Sequence, residues 1–382
     1  MAAPRILYHS ADPQNLKTTY TSSDQCDFLL SYEGRSLELG SVRLEAELEV
    51  TVAGELFGLT GASTDSLVYM DTFTGAHAVI QQISTDIGGT MVETVPDYPR
   101  LVKAITTATQ SQTDMFNSGN VCELKTPSME IAREVLMGEH VPISTGTAAD
   151  DRINPDFSIK PLCSLNKAGQ GQVLPYRKSG DVRVTINLAR AADVLFGRDM
   201  GGTVSYVLRN LRCTFRSVPD QGPKFDQPIV MQRHISMKHN IASTQANIQM
   251  KVPAVCDSFI CTFLPKSEWG KDAPNVLALA RPPGISEVQY MFNDATNQYI
   301  TYRLTDQVQW LGRYLDSFQD SRDGTNAAKL GNVFSNQVFG LGLSFGGPID
   351  LSRQKLSIAI NSAVTNTSPY SVYLYFSSML TI

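Results

Sequence analysis

Histidine and carboxylate spacing indicates where this sequence could bind a metal. Two of the five histidines, His234 and His239, are five residues apart, so a strand would point them to opposite faces. No His-x-His pair occurs, and the adjacent carboxylates Asp150 and Asp151 diverge on an extended chain. The remaining histidines are His9, His77 and His140. We therefore expect ordinary surface or loop residues at these positions, with no metal ion and no other cofactor.

Two glycine-rich stretches could in principle contact a phosphate. A nucleotide-binding loop needs glycines that lead into the N-terminus of a helix. Ala168-Gly169-Gln170-Gly171 has no third glycine at the required offset, no helical pattern follows it, and no Gly-Lys-Ser/Thr motif occurs. A flexible loop is the better interpretation, and Gly346-Gly347-Pro348 predicts a turn.

No residue is marked as a catalytic nucleophile, and we recognise no Gly-x-Ser-x-Gly nucleophile elbow. Cys122 precedes Glu123, but no histidine is marked as its partner. A glycosidase pair of carboxylates usually comes from separate strands, so spacing alone does not identify one. A glycoside hydrolase therefore remains an alternative that no motif supports, and we assign no catalytic residue. We expect the scattered cysteines to be small buried hydrophobic residues: Cys26, Cys122, Cys163, Cys213, Cys256 and Cys261.

Aromatic residues allow a carbohydrate-binding surface as an alternative. Trp269 and Trp310 are the only tryptophans. Tyr290, Phe292, Tyr299 and Tyr302 form an aromatic stretch, although core packing and cross-strand pairing explain it more simply. Asn366-Thr367-Ser368 matches a glycosylation sequon, and we interpret it as a turn.

Charge and composition narrow the function classes. The chain has 382 residues, 42% of them hydrophobic, a formal net charge of −5 and no run of Lys or Arg. Because proteins that bind a phosphate backbone usually carry a basic arm or stripe, direct nucleic-acid binding is not expected. No apolar run reaches the length of a membrane span, and no signal peptide is recognised at the start. We expect folding inside a cell, and two domains for this length.

The dominant period of the sequence is two residues. In SVRLEAELEVTV (Ser41–Val52), apolar residues alternate with Arg43, Glu45, Glu47 and Glu49, as in a half-buried antiparallel strand. Val207, Leu211, Cys213 and Phe215 repeat the pattern, interrupted by Arg209. Further strands are predicted at 182–188, 246–252, 288–292, 299–304, 339–345, 356–360 and 372–382. Many short strands separated by turn residues favour sandwiches or barrels.

Helices and long loops are predicted to decorate this β scaffold. Asp306 to Gln309 resembles a capping box, and Val308, Leu311, Leu315 and Phe318 follow at helical spacing. Other helical segments are predicted at 99–108, 128–137 and 193–197. The proline-rich stretch Ser217–Pro228 predicts the domain boundary, giving domains 1–219 and 220–382. Long loops are predicted at 145–156, 168–179, 220–226, 266–284 and 320–332.

The order of these strands resembles a known family. The C-terminal FGLGLSFGGPIDLSRQKLSIAINS, with a turn at Asp350-Leu351-Ser352, and PYSVYLYFSSMLTI are similar to the closing strands of double jelly-roll major capsid proteins. The N-terminal QCDFLLSYEGRSLELGSVRLEAELEV is similar to an opening strand pair, with a turn at Gly34-Arg35-Ser36-Leu37. Such proteins build tailless icosahedral double-stranded DNA viruses of the adenovirus-type lineage.

The resemblance implies an all-β chain of two tandem antiparallel jelly-roll sandwiches with a few short helices in loops. It further implies a non-enzymatic subunit of the virion, forming pseudo-hexagonal homotrimers that meet neighbouring capsomers. Vertex or cement proteins and an internal membrane are further partners it allows. We expect loops 168–179, 266–284 and 320–332 to make assembly contacts. The alternatives are a single jelly-roll vertex (penton) protein and a β-sandwich carbohydrate-binding or hydrolytic protein.

Overall fold

The computed structural model describes residues 5–52, 55–56, 67–71, 73–109, 119–125, 155–168, 171–198, 204–223, 227–241, 245–265, 277, 279, 281–282, 285–293, 298–318, 339–362 and 370–382. The chain divides into two compact units. The first comprises Met1–Val102, Gln112–Arg233 and Leu380–Ile382, and the second comprises Lys103–Ser111 and His234–Met379. The predicted boundary between residues 219 and 220 stays a prediction.

Strands dominate both units. The strands up to residue 219 are β1 Leu7–Ala11, β2 Thr19–Thr21, β3 Gln25–Leu29, β4 Arg35–Glu38, β5 Arg43–Val52, β6 Glu55–Leu56, β7 Leu67–Met70, β8 Ile80–Ile87, β9 Thr90–Pro96, β10 Asp156–Ile159, β11 Val173–Pro175, β12 Val182–Leu188, β13 Leu195–Arg198 and β14 Val204–Pro219. The later strands are β15 Val230–Ile241, β16 Gln245–Met250, β17 Val255–Pro265, β18 Ile285–Asn293, β19 Gln298–Leu304, β20 Gly340–Asp350, β21 Lys355–Ser362 and β22 Tyr370–Thr381.

Helices are short. They are α1 Tyr98–Thr109, α2 Asn120–Glu123, α3 Tyr176–Ser179, α4 Ala191–Val194 and α5 Gln307–Asp316, with 3₁₀ turns at Gly75–Val79 and Ser164–Asn166. The helix predicted at 99–108 is confirmed as α1. The helix predicted at 193–197 is wrong in extent: the single helical turn α4 ends at Val194, and strand β13 follows. The helix predicted at 128–137 lies outside the described residues. Within the described ranges, no helix is long and apolar enough to cross a bilayer.

Two large antiparallel sheets and a short one, in which β13 pairs with β7, lie in the first unit. One has the strand order β10-β5-β14-β4-β11, with β1 and β2 paired along β14 and β6 on β5. The other contains β9-β8-β12-β3 in that order. As the alternation predicts, Leu44, Ala46 and Leu48 of β5 are buried, whereas Arg43 is exposed. Tyr206 of β14 donates its hydroxyl to the carbonyl of Ala189, directly after β12, and so links elements of the two sheets.

A bulge in β14 explains where the predicted alternation is wrong. The pairing of β14 with β5 shifts register between Arg209 and Arg212, and Asn210 adopts a left-handed backbone with φ of 53°. Because one extra residue reverses which side chains face inward, Val207 is not on the buried face. The buried residues are Tyr206 and Leu208 before the bulge and Leu211, Cys213 and Phe215 after it.

The second unit also contains two antiparallel sheets, with the strand orders β20-β17-β22-β15 and β16-β21-β18-β19. Aromatic side chains fill the space between them. The rings of Phe259 on β17 and Tyr290 on β18 meet edge to face, with centroids 5.3 Å apart. Phe292 and Phe345 make a similar contact at 5.1 Å. These contacts between strands of different sheets make this unit a sandwich.

The closing strand β22 is more deeply buried than its alternation predicts. Every residue from Tyr370 to Ser378 is buried, so both faces of this stretch are covered. β17 pairs along one edge of β22, from Cys256 with Ser378 to Pro265 with Tyr370. A strand covered on both faces behaves as core and tolerates no charged side chain on either face.

The family resemblance includes two predicted turns, of which one is confirmed and the other is wrong in position. Asp350 accepts hydrogen bonds from the backbone N–H and the hydroxyl of Ser352, which confirms the turn predicted there. The turn predicted at 34–37 is wrong in position. Gly34 turns with a φ of 70°, and Arg35 already begins β4, which pairs with β11 and β14.

Helix α5 begins at the predicted capping box, but its buried face matches the predicted one only in part. Phe318 is buried as predicted, and Leu311 and Leu315 are half-buried. Asp306 accepts a hydrogen bond from the backbone N–H of Gln309 at 2.9 Å. Trp310 and Tyr314 are buried, whereas Val308 is 80% exposed. The aromatic pair takes the place of Val308 on the buried face because its larger apolar area gains more from burial. The close packing of Tyr314 also explains Gly340, where a Cβ would lie 2.3 Å from the tyrosine ring.

Removing the cap should destabilise the second unit modestly. We expect Asp306→Ala to lower the free energy of unfolding by about 1 kcal/mol, since the N–H of Gln309 loses its acceptor. Urea unfolding followed by tryptophan fluorescence measures this. Asp316→Ala removes a carboxylate from the other end of α5 and serves as the control, with no loss expected. An equal loss in both variants would contradict the capping role.

Candidate functional site

The histidines are spread over separate elements. His9 lies on β1, His77 in the 3₁₀ turn, and His234 and His239 on β15, while His140 is outside the described residues, as are Asp150 and Asp151. In the part of the chain that the structure describes, no three His, Cys, Asp or Glu side chains converge as a metal site would require.

The described residues of the two glycine motifs lie next to or within strands. Gly171 precedes β11, and the adjacent Gly169 and Gln170 are outside the described residues. The predicted turn at Gly346-Gly347-Pro348 is an irregularity inside β20. Ser258 pairs with Ser344 while Cys256 pairs with Ile349, so β20 carries three extra residues there. Neither motif leads into a helix, so neither presents the helix N-terminus that a bound phosphate needs.

The sequence analysis overlooked one pentapeptide that matches the Gly-x-Ser-x-Gly pattern of hydrolases. Gly342-Leu343-Ser344-Phe345-Gly346 lies within β20 and leads into the irregularity just described. A nucleophile elbow instead places its serine on a tight turn from a strand into a helix. The match therefore carries no catalytic assignment.

The tryptophan proposed for carbohydrate binding is inaccessible. Trp310 is 2% exposed, and its indole N–H donates to the carbonyl of Leu304 at 3.2 Å. Its ring packs edge to face with Phe339, and the guanidinium of Arg281 lies 5.3 Å from the ring centre. Trp269 is outside the described residues. A sugar platform needs an exposed ring, so Trp310 does not supply one.

All six cysteines are free thiols, and five of them are buried as predicted. Cys122 is the exception, being half-buried in α2. Burial raises the pKa of Cys26 and of Cys163 to about 12. Burial also raises the pKa of Cys213 and of Cys261. These four thiols stay protonated at neutral pH and are poor nucleophiles.

Sequence analysis missed a buried polar cluster in the first unit, formed by His77, Tyr98, Glu123 and Lys125. Nδ1 of His77 lies 2.8 Å from the hydroxyl of Tyr98, and Nε2 lies 3.7 Å from Oε2 of Glu123. Nζ of Lys125 lies 2.8 Å from the same carboxylate oxygen. The cluster thus joins the 3₁₀ turn, the start of α1 and the end of α2.

Proton positions in this cluster follow from its hydrogen bonds. The hydroxyl of Tyr98 accepts from the backbone N–H of Leu162 at 3.0 Å, so its own proton is free to be donated to Nδ1 of His77. Neutral His77 then carries its proton on Nε2, facing Glu123. Glu123 therefore stays charged and is neutralised chiefly by Lys125.

The pKa shifts agree with a fixed pattern of charges. Burial lowers the pKa of His77, and the charge of Lys125 adds to this, while Glu123 works against it. Burial alone would raise the pKa of Glu123, but contacts with His77 and Lys125 outweigh it and lower the pKa to about 2. Burial also raises the pKa of Tyr98 well above its usual value.

Tyrosine, histidine and glutamate side chains linked in this order are typical of a proton relay. Here the histidine and tyrosine rings are closed off from solvent. His77 is 2% exposed and Tyr98 is fully buried, so no substrate reaches either ring. The close approach of the chain supports a structural role. Gly75 has a φ of 52°, and a Cβ there would lie 2.2 Å from the carbonyl oxygen of Glu123. The cluster therefore joins segments that are distant in sequence.

The outward face of β5 and β14 carries a ladder of ion pairs. Arg209 meets Glu49 at 2.7 Å, and Arg212 meets Glu45 at 3.0 Å. A third pair joins Arg216 to Glu38 at 2.6 Å, from β14 to β4. The outward direction predicted for Glu45 and Glu49 is confirmed. Because each arginine faces a carboxylate, this face offers no uncompensated basic stripe for a phosphate backbone.

Two of the predicted assembly loops lie wholly or largely outside the described residues. Loop 320–332 is outside, and of 266–284 only positions 277, 279 and 281–282 are described. The loop predicted at 168–179 is wrong as a loop, because it contains β11 and α3. Pairing of β11 with β4 provides the backbone partners that made this segment a strand.

Comparison by sequence finds no match: no family model and no curated protein is similar to this chain. Comparison by structure does find similar proteins. The Faustovirus major capsid protein superposes with a TM-score of 0.64 at 9% identity, covering 100% of this chain and 91% of that one. VP54 of PBCV-1, fitted into a reconstruction of the virophage Sputnik, superposes with a TM-score of 0.57 at 10% identity. The match covers 100% of this chain and 96% of that one. The mavirus major capsid protein superposes with a TM-score of 0.53 at 10% identity. The match covers 98% of this chain and 90% of that one.

The architecture defined by these strands is all-β, with antiparallel sandwiches in tandem. Its match with the solved structures extends over essentially the whole chain, so the similarity is not that of one domain. The chain has the double jelly-roll fold found in major capsid proteins of Faustovirus, PBCV-1 and mavirus.

Proposed function

We propose that this chain is a major capsid protein, a structural subunit of an icosahedral double-stranded DNA virus. One observation carries the proposal: the similarity to the Faustovirus major capsid protein, with a TM-score of 0.64, includes every part of this chain. At 9% identity the shared property is the fold, and the capsid role is inferred from it.

The chemistry of the described residues supports a structural role. The polar cluster around His77 is sealed, four buried thiols have raised pKa values, and the arginines of the outward ladder face carboxylates. Together these features fit a protein whose surfaces contact other copies. We assign it no enzymatic activity and no catalytic, cofactor or metal residue.

We further propose homotrimeric capsomers built from two jelly rolls per chain, 1–219 and 220–382. Three such chains around a threefold axis place six similar blocks in a ring, which mimics sixfold symmetry. The two compact units, each built of antiparallel sheets, support this arrangement over a vertex protein with a single jelly roll.

Neighbouring capsomers are the first partners in this proposal, followed by vertex or cement proteins and an internal membrane. The location is the virion capsid, after assembly inside the host cell. The self-neutralised face of β5 and β14 leaves direct, sequence-specific nucleic-acid binding without support.

The mass of the purified protein in solution tests the capsomer. One chain has a mass of 41.9 kDa. We expect three copies, about 126 kDa, by light scattering coupled to size exclusion. Electron microscopy of that fraction should then show pseudo-hexagonal outlines.

Other masses would change the assignment. Five copies would favour the vertex protein. A monomer at all concentrations would contradict both capsid roles and direct attention to a glycan-binding screen.

A further inference from the structure

The first strand of the chain is attached along one edge only. β1 pairs antiparallel with β14, from Leu7 with Ser217 to Ala11 with Cys213. No other strand pairs with β1 in the part of the chain that the structure describes. Tyr8 is 79% exposed, so the outward face of the strand adds little packing. The attachment of β1 therefore rests on its backbone pairing with β14 and on the side chains of its inward face.

His9 makes the polar contact of this inward face. Its imidazole ring stacks on Phe215 of β14, with centroids 5.0 Å apart, and lies 4.5 Å from the ring of Tyr32, which precedes β4. Nε2 of His9 lies 2.6 Å from the hydroxyl oxygen of Ser217, a residue with no exposed surface. The ring thus joins β1 to a buried polar group of β14.

Arg35 of β4 fixes the direction of this hydrogen bond. Its Nε–H donates to the hydroxyl of Ser217 at 2.6 Å, and Nη2 donates to the carbonyls of Ser217 at 2.9 Å and Arg5 at 2.8 Å. Because a guanidinium only donates, the hydroxyl accepts from Arg35, and its own proton is left for Nε2 of His9. His9 is then neutral, with its proton on Nδ1.

A protonated His9 does not fit this arrangement. Protonation places a second proton on Nε2, so the hydroxyl of Ser217 would face two cationic donors, and its own proton would lose its acceptor in a buried site. The other neighbours of the ring are aromatic, Phe215 from β14 and Tyr32 from the segment before β4, so no carboxylate among them offsets the charge of Arg35. Burial lowers the pKa of His9, and the charge of Arg35 lowers it further.

We propose that β1 is an acid-released strand, which leaves β14 when His9 takes up a proton and loses its contact with Ser217. In the released strand His9 is free of Arg35 and of the buried site, so its pKa returns to about 6.5. The pKa is lower in the attached strand, so attachment is complete above pH 6.5 and weakens as the pH falls below it. Release uncovers the edge of β14 between Cys213 and Ser217.

Hydrogen–deuterium exchange of the full-length protein at pH 7.0 and pH 5.5 tests the proposal. Labelling times are scaled for the slower intrinsic exchange of amides in acid, and all samples have the same protein concentration. We expect the protection of peptides containing Leu7–Ala11 to fall at least about threefold between the two pH values. The reason is that a released histidine is mostly neutral at the first pH and mostly protonated at the second.

Two variants show whether His9 is responsible. His9→Phe keeps an aromatic ring against Phe215 and Tyr32 but takes up no proton, so the protection of β1 should change less than about 1.5-fold between the two pH values. His239→Phe removes a half-buried histidine of β15 and should keep the threefold loss. Each variant is compared with itself, so a lower overall protection of His9→Phe does not affect the ratio. An equal loss in His9→Phe and wild type, or no loss in wild type, would overturn the proposal.

The pKa of His9 is a second measurement, and it decides if His9→Phe fails to fold. Exchange of the Cε1 hydrogen of the imidazole ring, followed by mass spectrometry over a pH series, reports this pKa. We expect it to lie below 6.5 in the wild type and to rise in Arg35→Gln, which lacks the opposing charge. A wild-type pKa at or above 6.5, or one unchanged in Arg35→Gln, would contradict the assigned hydrogen bonds. Neither measurement uses the number of chains in the capsomer, so the proposal and the capsid assignment fail separately.

Discussion

Phe259→Ala should destabilise the second unit by about 3–5 kcal/mol, as expected for truncation of a buried phenylalanine. Phe259 is 1% exposed, and besides Tyr290 its ring meets Phe376 at 5.7 Å and Phe345 at 6.0 Å. These rings belong to β17, β18, β20 and β22, so the truncation leaves a cavity bordered by both sheets of the sandwich.

Urea unfolding at one fixed protein concentration measures this loss. Both tryptophans fall within His234–Met379, so their fluorescence reports on the second unit. Phe259→Leu should cost clearly less, and Val308→Ala, at an exposed apolar residue, should stay within about 0.5 kcal/mol of wild type. A loss below about 1 kcal/mol for Phe259→Ala would show that these rings do not form the core.

The sequence patterns predicted strands and helix ends well where apolar residues recur at regular spacing along one face of an element. The strands β5, β12 and β18 follow from alternation alone, and the cap of α5 follows from Asp306 and Gln309. These features are set by neighbours in sequence, so a sequence contains them directly.

The pattern was misleading where a contact distant in sequence sets the local geometry. The bulge at Asn210 exists because β14 continues along β5 beyond a shift of register, and this reverses the face of Val207. In α5, the close packing of Tyr314 against Gly340 selects the aromatic face. Neither effect is visible in the segment itself.

The polar cluster around His77 could not be found from residue spacing, because its members are distant from one another in sequence. His77 is 21 residues from Tyr98 and 46 from Glu123, and no local motif joins them. The sequence shows only Gly75, two residues before His77; that its backbone is left-handed and lies close to Glu123 is known from the structure alone. Strand β11 was missed because residues 168–179 lack alternation and so predict a loop.

Lys125→Met should be the most damaging change in the first unit, with a loss of about 3–5 kcal/mol at pH 7. Lys125 is 5% exposed, and its ammonium lies 2.8 Å from the carboxylate of Glu123. Methionine keeps much of the length of the side chain but leaves Glu123 charged in a partly buried site. His77, being neutral, does not replace the missing charge.

The pH dependence of this loss identifies its electrostatic origin. In the wild type, the folded state lowers the pKa of Glu123 to about 2 from a usual value of 4.5, so its contribution is complete above pH 4.5 and disappears towards pH 2. The lowered pKa of His77 acts in the same direction, because the unfolded chain gains a proton below pH 6.5 and the folded one does not. Wild-type stability should therefore fall on acidification.

In Lys125→Met the pKa of Glu123 rises, so the difference between variant and wild type should shrink below pH 4.5. Urea unfolding at pH 7 and pH 4, followed by far-ultraviolet circular dichroism, measures both quantities. The double variant Glu123→Gln with Lys125→Met is the control. With both charges gone, it should regain most of the stability lost in the single variant, because no charge is left buried without a partner. A loss that is equal at both pH values, and equal in the double variant, would mean that Lys125 contributes through packing and that the cluster is not held together by charge.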